Sequence, residues 1–241
     1  MIAFDRSEVI DAFTDGPVGR LLRIPGHVLG RNTRLSPAHE VTQMLVNAFS
    51  YAKYEEVAGD YAEFGVEKGR TFVEAYRVAR WFPSTRRRFY AFDSFAGLPE
   101  IGQLDEGYRW RQGQFAQPRT AFEARLRRAR IPASDVTIVE GFYEDTLTTP
   151  DQLEDHQVAI AWVDCDLYES TVPVLDYLAT RLAPGAVLAF DDWYSFRGAR
   201  DRGEARACTE WLERNPHITL VPWRPFHWSG QSFLVQLAGQ R

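Results

Sequence analysis

Two apolar runs, Val158 to Val163 and Ala186 to Phe190, each stop abruptly at a pair of carboxylates. The first runs into Asp164-Cys165-Asp166 and the second into Asp191-Asp192. Short runs with no polar face, bounded by such signals, read as fully buried strands. Two buried strands that both end in acids put a metal-competent site at one edge of a sheet. The rest of the chain is scaffold for that edge, or surface for whatever reacts there.

From Gly59 onward, strand-like runs alternate with amphipathic segments. Asp60 to Val66 predicts a first strand, followed by a glycine-containing turn and a helix over about Arg70 to Arg80. Arg88 to Phe92 predicts a second strand and Val136 to Val139 a third, with a helix near Ala121 to Ala129 between them. Helices are expected from Thr171 to Leu182 and from Arg200 to Asn215, and late strands at Thr219 to Val221 and Ser232 to Leu237. Alternation of this kind implies right-handed crossovers and an α/β fold, with a mainly parallel sheet and helices on both faces. Ligands in such folds sit beyond the C-terminal strand ends, near the point where strand order reverses.

The first quarter differs. Ser7 reads as a cap for a short helix carrying Val9, Ile10 and Phe13, and Gly16 to Arg34 as an irregular connection. Ser36-Pro37 is a strong helix start, and Val41, Met44, Leu45, Ala48, Phe49 and Ala52 then recur on one stripe. The expected division is an N-terminal helical cover over 1–58 and a Rossmann-like catalytic domain over 59–241. Gly97 to Pro118 is too long for a simple connection, and is read as a lid.

Composition narrows the function. A chain of 241 residues with 45% hydrophobic and 25% charged residues has ordinary globular character. A net charge of −5 argues against nucleic acid as the main partner. Cys165 and Cys208 make no disulfide framework, so a reducing cytoplasm is expected. The acids and Arg6 among the first residues exclude a normal secretory signal, and no apolar run reaches membrane-spanning length.

Chemistry concentrates at the predicted strand ends. In Glu63-Phe64-Gly65-Val66-Glu67-Lys68-Gly69, the glycines allow backbone to approach a ligand closely. The flanking acids would repel a pyrophosphate and suit a ligand carrying an ammonium or sulfonium. Asp93, ending the second strand, is placed to accept from a ribose diol. Asp164, Asp166, Asp191 and Asp192 cannot all stay ionised in one small site without a cation. Their hard oxygens favour Mg²⁺, Mn²⁺ or Ca²⁺ over zinc.

Together these stretches resemble the macrocin-type (TylF-type) O-methyltransferases, a class I S-adenosylmethionine-dependent family. The most specific matches are DCDLYEST (Asp164 to Thr171) and the unit from Pro184 to Asp192. GDYAEFGVEKG, FDSFAGLPE and EGFYEDTL follow the family's order. The resemblance implies a seven-stranded sheet with the last strand antiparallel. It also implies a Mg²⁺-assisted transfer of methyl from S-adenosylmethionine to a hydroxyl of a sugar or hydroxylated natural product. It assigns Glu63 to the methionine ammonium and Gly65, Val66, Gly69 and Thr71 to the cofactor turn. Asp93 and Ser94 fall to the ribose side, and Gly141 and Phe142 to adenine. Asp164, Asp191 and Asp192 fall on the metal acids, with Asp164 also beside the cofactor and the reacting centre. Asp166 falls on the general base.

Two other readings share parts of the pattern. A glycosyltransferase also uses Asp-x-Asp to hold a metal and a sugar nucleotide, and a non-catalytic module could bind the same cofactor. The arginines of 86–88 and 125–130 are candidates for binding a phosphate or nucleic acid, but those of 125–130 read mainly as a solvated face, and Cys165 as a small buried hydrophobe. Trp193-Tyr194 and the aromatic group Trp223, Phe226, His227 and Trp228 are candidates for an acceptor wall or for core. A homodimer through the N-terminal helices is an open possibility.

Overall fold

The structure, a computed structural model, describes residues 37–82, 87–147 and 156–239. The expected helix around Val9, Ile10 and Phe13 and the connection from Gly16 to Arg34 lie outside the described residues. The chain divides into two units, Met1–Glu40 and Val41–Arg241. The second holds the sheet.

That sheet has seven strands: β1 (Asp60–Phe64), β2 (Phe89–Asp93), β3 (Val136–Glu140), β4 (Val158–Val163), β5 (Leu182–Phe190), β6 (Ile218–Phe226) and β7 (Gly230–Leu237). Their order across the sheet is β3-β2-β1-β4-β5-β7-β6. The pairs β1·β2, β2·β3, β1·β4 and β4·β5 are parallel, and β7 runs antiparallel to both β5 and β6. This matches the expected fold, down to a reversed last strand. Strand order turns back between β1 and β4. Crossovers of one hand that travel in opposite directions from that point lie on opposite faces.

Among the described residues, five helices of ten or more residues and one short turn of helix accompany the sheet: α1 (Pro37–Tyr54), α2 (Arg70–Ala79), α3 (Arg119–Arg128), α4 (Tyr143–Thr146), α5 (Tyr168–Leu178) and α6 (Gly203–Arg214). The heart of the sheet is dry. Every residue of β1 and β4 is buried, as parallel strands covered on both faces require. The α1 stripe from Met44 to Ala52 joins this same core, with the Phe49 ring stacked 5.9 Å from Tyr61 and 6.4 Å from Phe89. A smaller cluster of Trp110, Leu167 and Phe196 packs Leu98, Ile101, Tyr108 and Ala199.

Several boundaries differ from the sequence reading, each for a local reason. β1 ends at Phe64 rather than Val66, because Gly65 turns the chain away at φ +94°. α5 starts at Tyr168, three residues before Thr171, where a distant carboxylate accepts from the Tyr168 N–H at 2.6 Å. β5 begins at Leu182, and Pro184-Gly185 forms a bulge inside it. Strand β6 runs on to Phe226 despite Pro222 and Pro225. It is an edge strand, where a missing N–H is tolerated. The short helix Tyr143–Thr146 was not anticipated.

Among the described residues no helix is long and apolar enough to cross a membrane. The arginine runs are structural where they are described. α3 buries Phe122 and Leu126 and leaves its arginines outward, and buried Arg87 donates to the carbonyls of Val57 and Gly59. Because Leu45 of α1 is wholly buried in the sheet core, Leu45→Ala is expected to cost about 2–5 kcal/mol of unfolding free energy. Urea denaturation of the purified variant measures this; a change near zero would mean that α1 is not part of the cooperative core.

Candidate active site

The site forms where β1 and β4 diverge. Beyond the last β1 residue the ladder continues briefly, with Gly65 N–H donating to the Phe92 carbonyl at 2.9 Å and Asp164 N–H to the Phe64 carbonyl at 2.8 Å. A side chain at Gly65 would place its Cβ 2.0 Å from the Asp164 carbonyl oxygen. The glycine turn and the Asp-x-Asp turn therefore touch through backbone. Gly69, at φ +73° before α2, lies against the Phe122 ring, which a Cβ would meet at 2.4 Å.

Glu63 is 1% exposed, and its carboxylate accepts from the Tyr61 hydroxyl. Burial pushes its pKa well up, opposed by the Tyr61 bond and reinforced by Asp191 and Asp93. A carboxylate so placed gains most from a cationic partner. Asp93 fastens the turn to β2: one oxygen accepts from Val66 and Glu67 N–H, both at 2.8 Å, and the other from Phe95 N–H at 2.6 Å. Three backbone bonds make it first a clamp, with one lone-pair site left over. Ser94 Oγ donates to the Gly97 carbonyl at 3.0 Å. Gly141, at φ +138°, donates its N–H to the Asp93 carbonyl at 3.0 Å, so Gly141-Phe142 adjoins the end of β2. Val66 is buried, and Thr71 half-buried in the first turn of α2.

The acids converge beyond β4 and β5. Asp166 and Asp192 are each 7% exposed and Asp164 half-buried, and carboxylate oxygens of the three lie within 4.8 Å of one another. Asp166 adopts φ +61° in a tight turn closed by Leu167 N–H donating to the Cys165 carbonyl at 2.6 Å. Asp tolerates that left-handed region better than most residues. Burial, then Asp191, Asp166 and Asp192, push Asp164 far above the carboxylate range. Burial and then Asp192 do the same to Asp166. Burial and then Asp191 raise Asp192 as well, but less, because Ser195 Oγ donates to its Oδ1 at 2.6 Å. A set of clustered carboxylates without histidine or thiolate in the group fits a hard divalent cation such as Mg²⁺.

Asp191 takes a different position from its neighbour. It is half-buried, and its Oδ1 lies 3.2 Å from His227 Nε2. Ser229 N–H points at His227 Nδ1 at 3.2 Å, so Nε2 carries the proton and donates to Asp191. The tightest group is thus Asp164, Asp166 and Asp192, with Asp191 beside it and steered by His227.

Two carboxylates missed in the sequence frame this cluster. Asp105, 2% exposed in the Gly97 to Pro118 loop, accepts from Tyr168 N–H at 2.6 Å and Gly203 N–H at 3.1 Å. The loop read as a lid is thereby pinned to the first residues of α5 and α6. Glu204, also 1% exposed, reaches the amides beside the site acids. An acid in the first turn of a predicted helix was the only signal for it. The aromatic group splits: Trp193 packs on Phe190 and Phe233 and Phe226 on Trp162, all in the core. Trp228 is 56% exposed and meets the Arg109 guanidinium at 4.6 Å.

This sheet order, with one reversed strand, a glycine turn after β1 and acids after β2, β4 and β5, defines a class I S-adenosylmethionine-dependent methyltransferase fold. The macrocin-O-methyltransferase (TylF) family model matches residues 38–211, and the chain belongs to that family. It is 33% identical over 151 residues to a Streptomyces olivaceus 8-demethyl-8-(2,3-dimethoxy-alpha-L-rhamnosyl)-tetracenomycin-C 4'-O-methyltransferase, covering 60% of this chain and 56% of the relative. A demethyldecarbamoylnovobiocin O-methyltransferase of Streptomyces niveus is 27% identical over 145 residues, 57% of this chain and 53% of the relative. The match thus spans about half the length of these relatives. The solved structure of the O-methyltransferase NovP shares the fold, with TM-score 0.69 and 20% identity over 95% of this chain and 99% of that one.

At Gly65 a side chain needs both a positive φ and room the Asp164 carbonyl occupies. Gly65→Ala is expected to lose about 2–4 kcal/mol of stability, from left-handed strain and overpacking together. Thermal denaturation checks it; an unchanged Tm would show that the two turns can separate freely.

Proposed function

We propose that this chain is a Mg²⁺-dependent O-methyltransferase that moves a methyl group from S-adenosylmethionine to a hydroxyl of a sugar or hydroxylated natural product. The observation that carries the reading is the contact of the glycine turn after β1 with the acid turn after β4, at the point where strand order reverses. A cofactor held on the first turn would present its methyl group to a hydroxyl held at the second.

In this reading Glu63 takes the methionine ammonium, and Gly65, Val66, Gly69 and Thr71 shape the turn beneath it. The open lone pair of Asp93, with Ser94, faces the ribose, and Gly141 and Phe142 face the adenine. Asp164, Asp191 and Asp192 would hold the metal, with the His227 N–H orienting the Asp191 carboxylate. The ion, when bound, lowers the pKa of an acceptor hydroxyl and steadies its developing negative charge. Asp166 accepts the hydroxyl proton; its buried carboxylate, with a raised pKa, is a stronger base than a solvated one. The sulfonium already activates the methyl group, so the protein's main work is alignment and exclusion of water. The named relatives are O-methyltransferases of a rhamnosyl tetracenomycin and of demethyldecarbamoylnovobiocin, which supports an acceptor of the same kind. We place the enzyme in a reducing cytoplasm, in keeping with free Cys165 and Cys208.

Calorimetry with S-adenosylhomocysteine, with and without Mg²⁺, tests the cofactor assignment. Saturable binding of S-adenosylhomocysteine is expected; binding of a nucleoside diphosphate sugar in its place would make the chain a glycosyltransferase. Asp166→Asn tests the base. Turnover should fall by about 10²–10⁴-fold, while affinity for S-adenosylhomocysteine stays near that of the wild type. Wild-type turnover in that variant would remove Asp166 from the proton step.

A further inference from the structure

We propose that Glu204 is the positioning residue that holds the two acid-bearing turns in one frame; the part of this that concerns metal rests on the reading above. The β4·β5 ladder closes with the Val163–Phe190 pair and the Asp191 N–H donating to the Val163 carbonyl at 2.8 Å. Past that bond the two strands separate into different turns. Cys165 N–H and Asp192 N–H are amides just beyond the closure, and each sits in a turn that carries site acids. Both point at the same side chain. Cys165 N–H donates to Glu204 Oε1 at 3.1 Å and Asp192 N–H to Glu204 Oε2 at 2.9 Å. One carboxylate therefore replaces the ladder where the strands no longer pair, and does so with charge-assisted bonds, which are stronger than neutral ones.

The location makes a packing accident a poor explanation. Glu204 is almost fully buried, and Asp192 and Asp191 both act against its charge. A buried anion among other anions is costly unless its oxygens are satisfied. Here both oxygens are used, and Glu204 lies in the first turn of α6, where the helix dipole favours an acid. The preceding residue, Gly203, donates its N–H to Asp105, whose other oxygen takes the Tyr168 N–H. The start of α6 is thus held from two sides, and it passes that position on to the turn of Asp164 and Asp166 and to the turn of Asp192. No shorter or neutral side chain does the same. Asp lacks a methylene of reach, and Gln offers one acceptor oxygen while turning an NH₂ group toward the second amide.

The test uses Glu204→Gln and Glu204→Asp in the full chain, read by hydrogen exchange and by Mn²⁺ titration. Exchange in the ligand-free protein should accelerate at 164–167 and 191–195 in both variants, while the interiors of β4 and β5 stay slow. Mn²⁺ affinity, followed by its electron paramagnetic resonance signal, should fall about 10–100-fold, the range for partners that orient metal ligands. Affinity for S-adenosylhomocysteine should stay near the wild-type value. Wild-type exchange in both turns overturns the proposal, as does a lowered Tm with unchanged exchange and unchanged Mn²⁺ affinity. If the wild type itself binds no Mn²⁺, the metal reading fails, and the exchange pattern alone decides whether Glu204 positions the turns.

Discussion

The tightest glycine contact among the described residues is backbone on backbone, at the reversal point of the sheet. Gly65 lies so near the Asp164 carbonyl that no side chain fits between them. That contact joins two features that are 99 positions apart in the chain, and it depends on β1 and β4 keeping one register from the Tyr61–Ile160 pair to the Phe64–Val163 pair, past an irregularity between Asp60 and Tyr61. A slip of one residue would turn Glu63 and the site acids to the wrong faces. The long apolar core beneath, with Tyr61, Phe64, Phe72 and Phe92 wholly or almost wholly buried, is what makes such a slip costly.

Above that core the chain accumulates negative charge where burial penalises it. Asp164, Asp166, Asp191, Asp192 and Glu204 surround one small volume, and burial heads the causes that raise four of them. Natural folds break their own rules mainly where function requires it. The compensations are visible: Ser195 on Asp192, His227 on Asp191, two backbone amides on Glu204 and two on Asp105. Each is a hydrogen bond to a charged or chargeable oxygen, and each also restricts where that oxygen points. The same bonds that make the cluster tolerable make it geometrically defined.

Much of this was legible beforehand. Val158 to Val163 and Ala186 to Phe190 are apolar throughout, and nothing but a covered strand accommodates them. The acids that follow announce the site, and the glycines after β1 announce the close approach. Other features were not legible. The Gly97 to Pro118 loop looks like a lid because it is long and polar, yet Asp105 and the Trp110, Leu167 and Phe196 cluster tie it down. Trp193 follows Asp191-Asp192 directly but turns into the core against Phe190. Proximity in sequence to a site does not say which way a side chain turns.

The sequence by itself determined the strands and the chemical character of their ends, because hydrophobic runs, glycine turns and carboxylates are local properties. Tertiary structure alone decided how the acids are grouped. Asp164, Asp166 and Asp192 gather tightly while Asp191 leans on His227, a residue 36 positions later. Glu204 meets an amide 39 positions earlier. Whether an oxygen faces a cation site, a histidine or a distant N–H is set by the packing of separate elements against one another, and no short window of sequence contains that information.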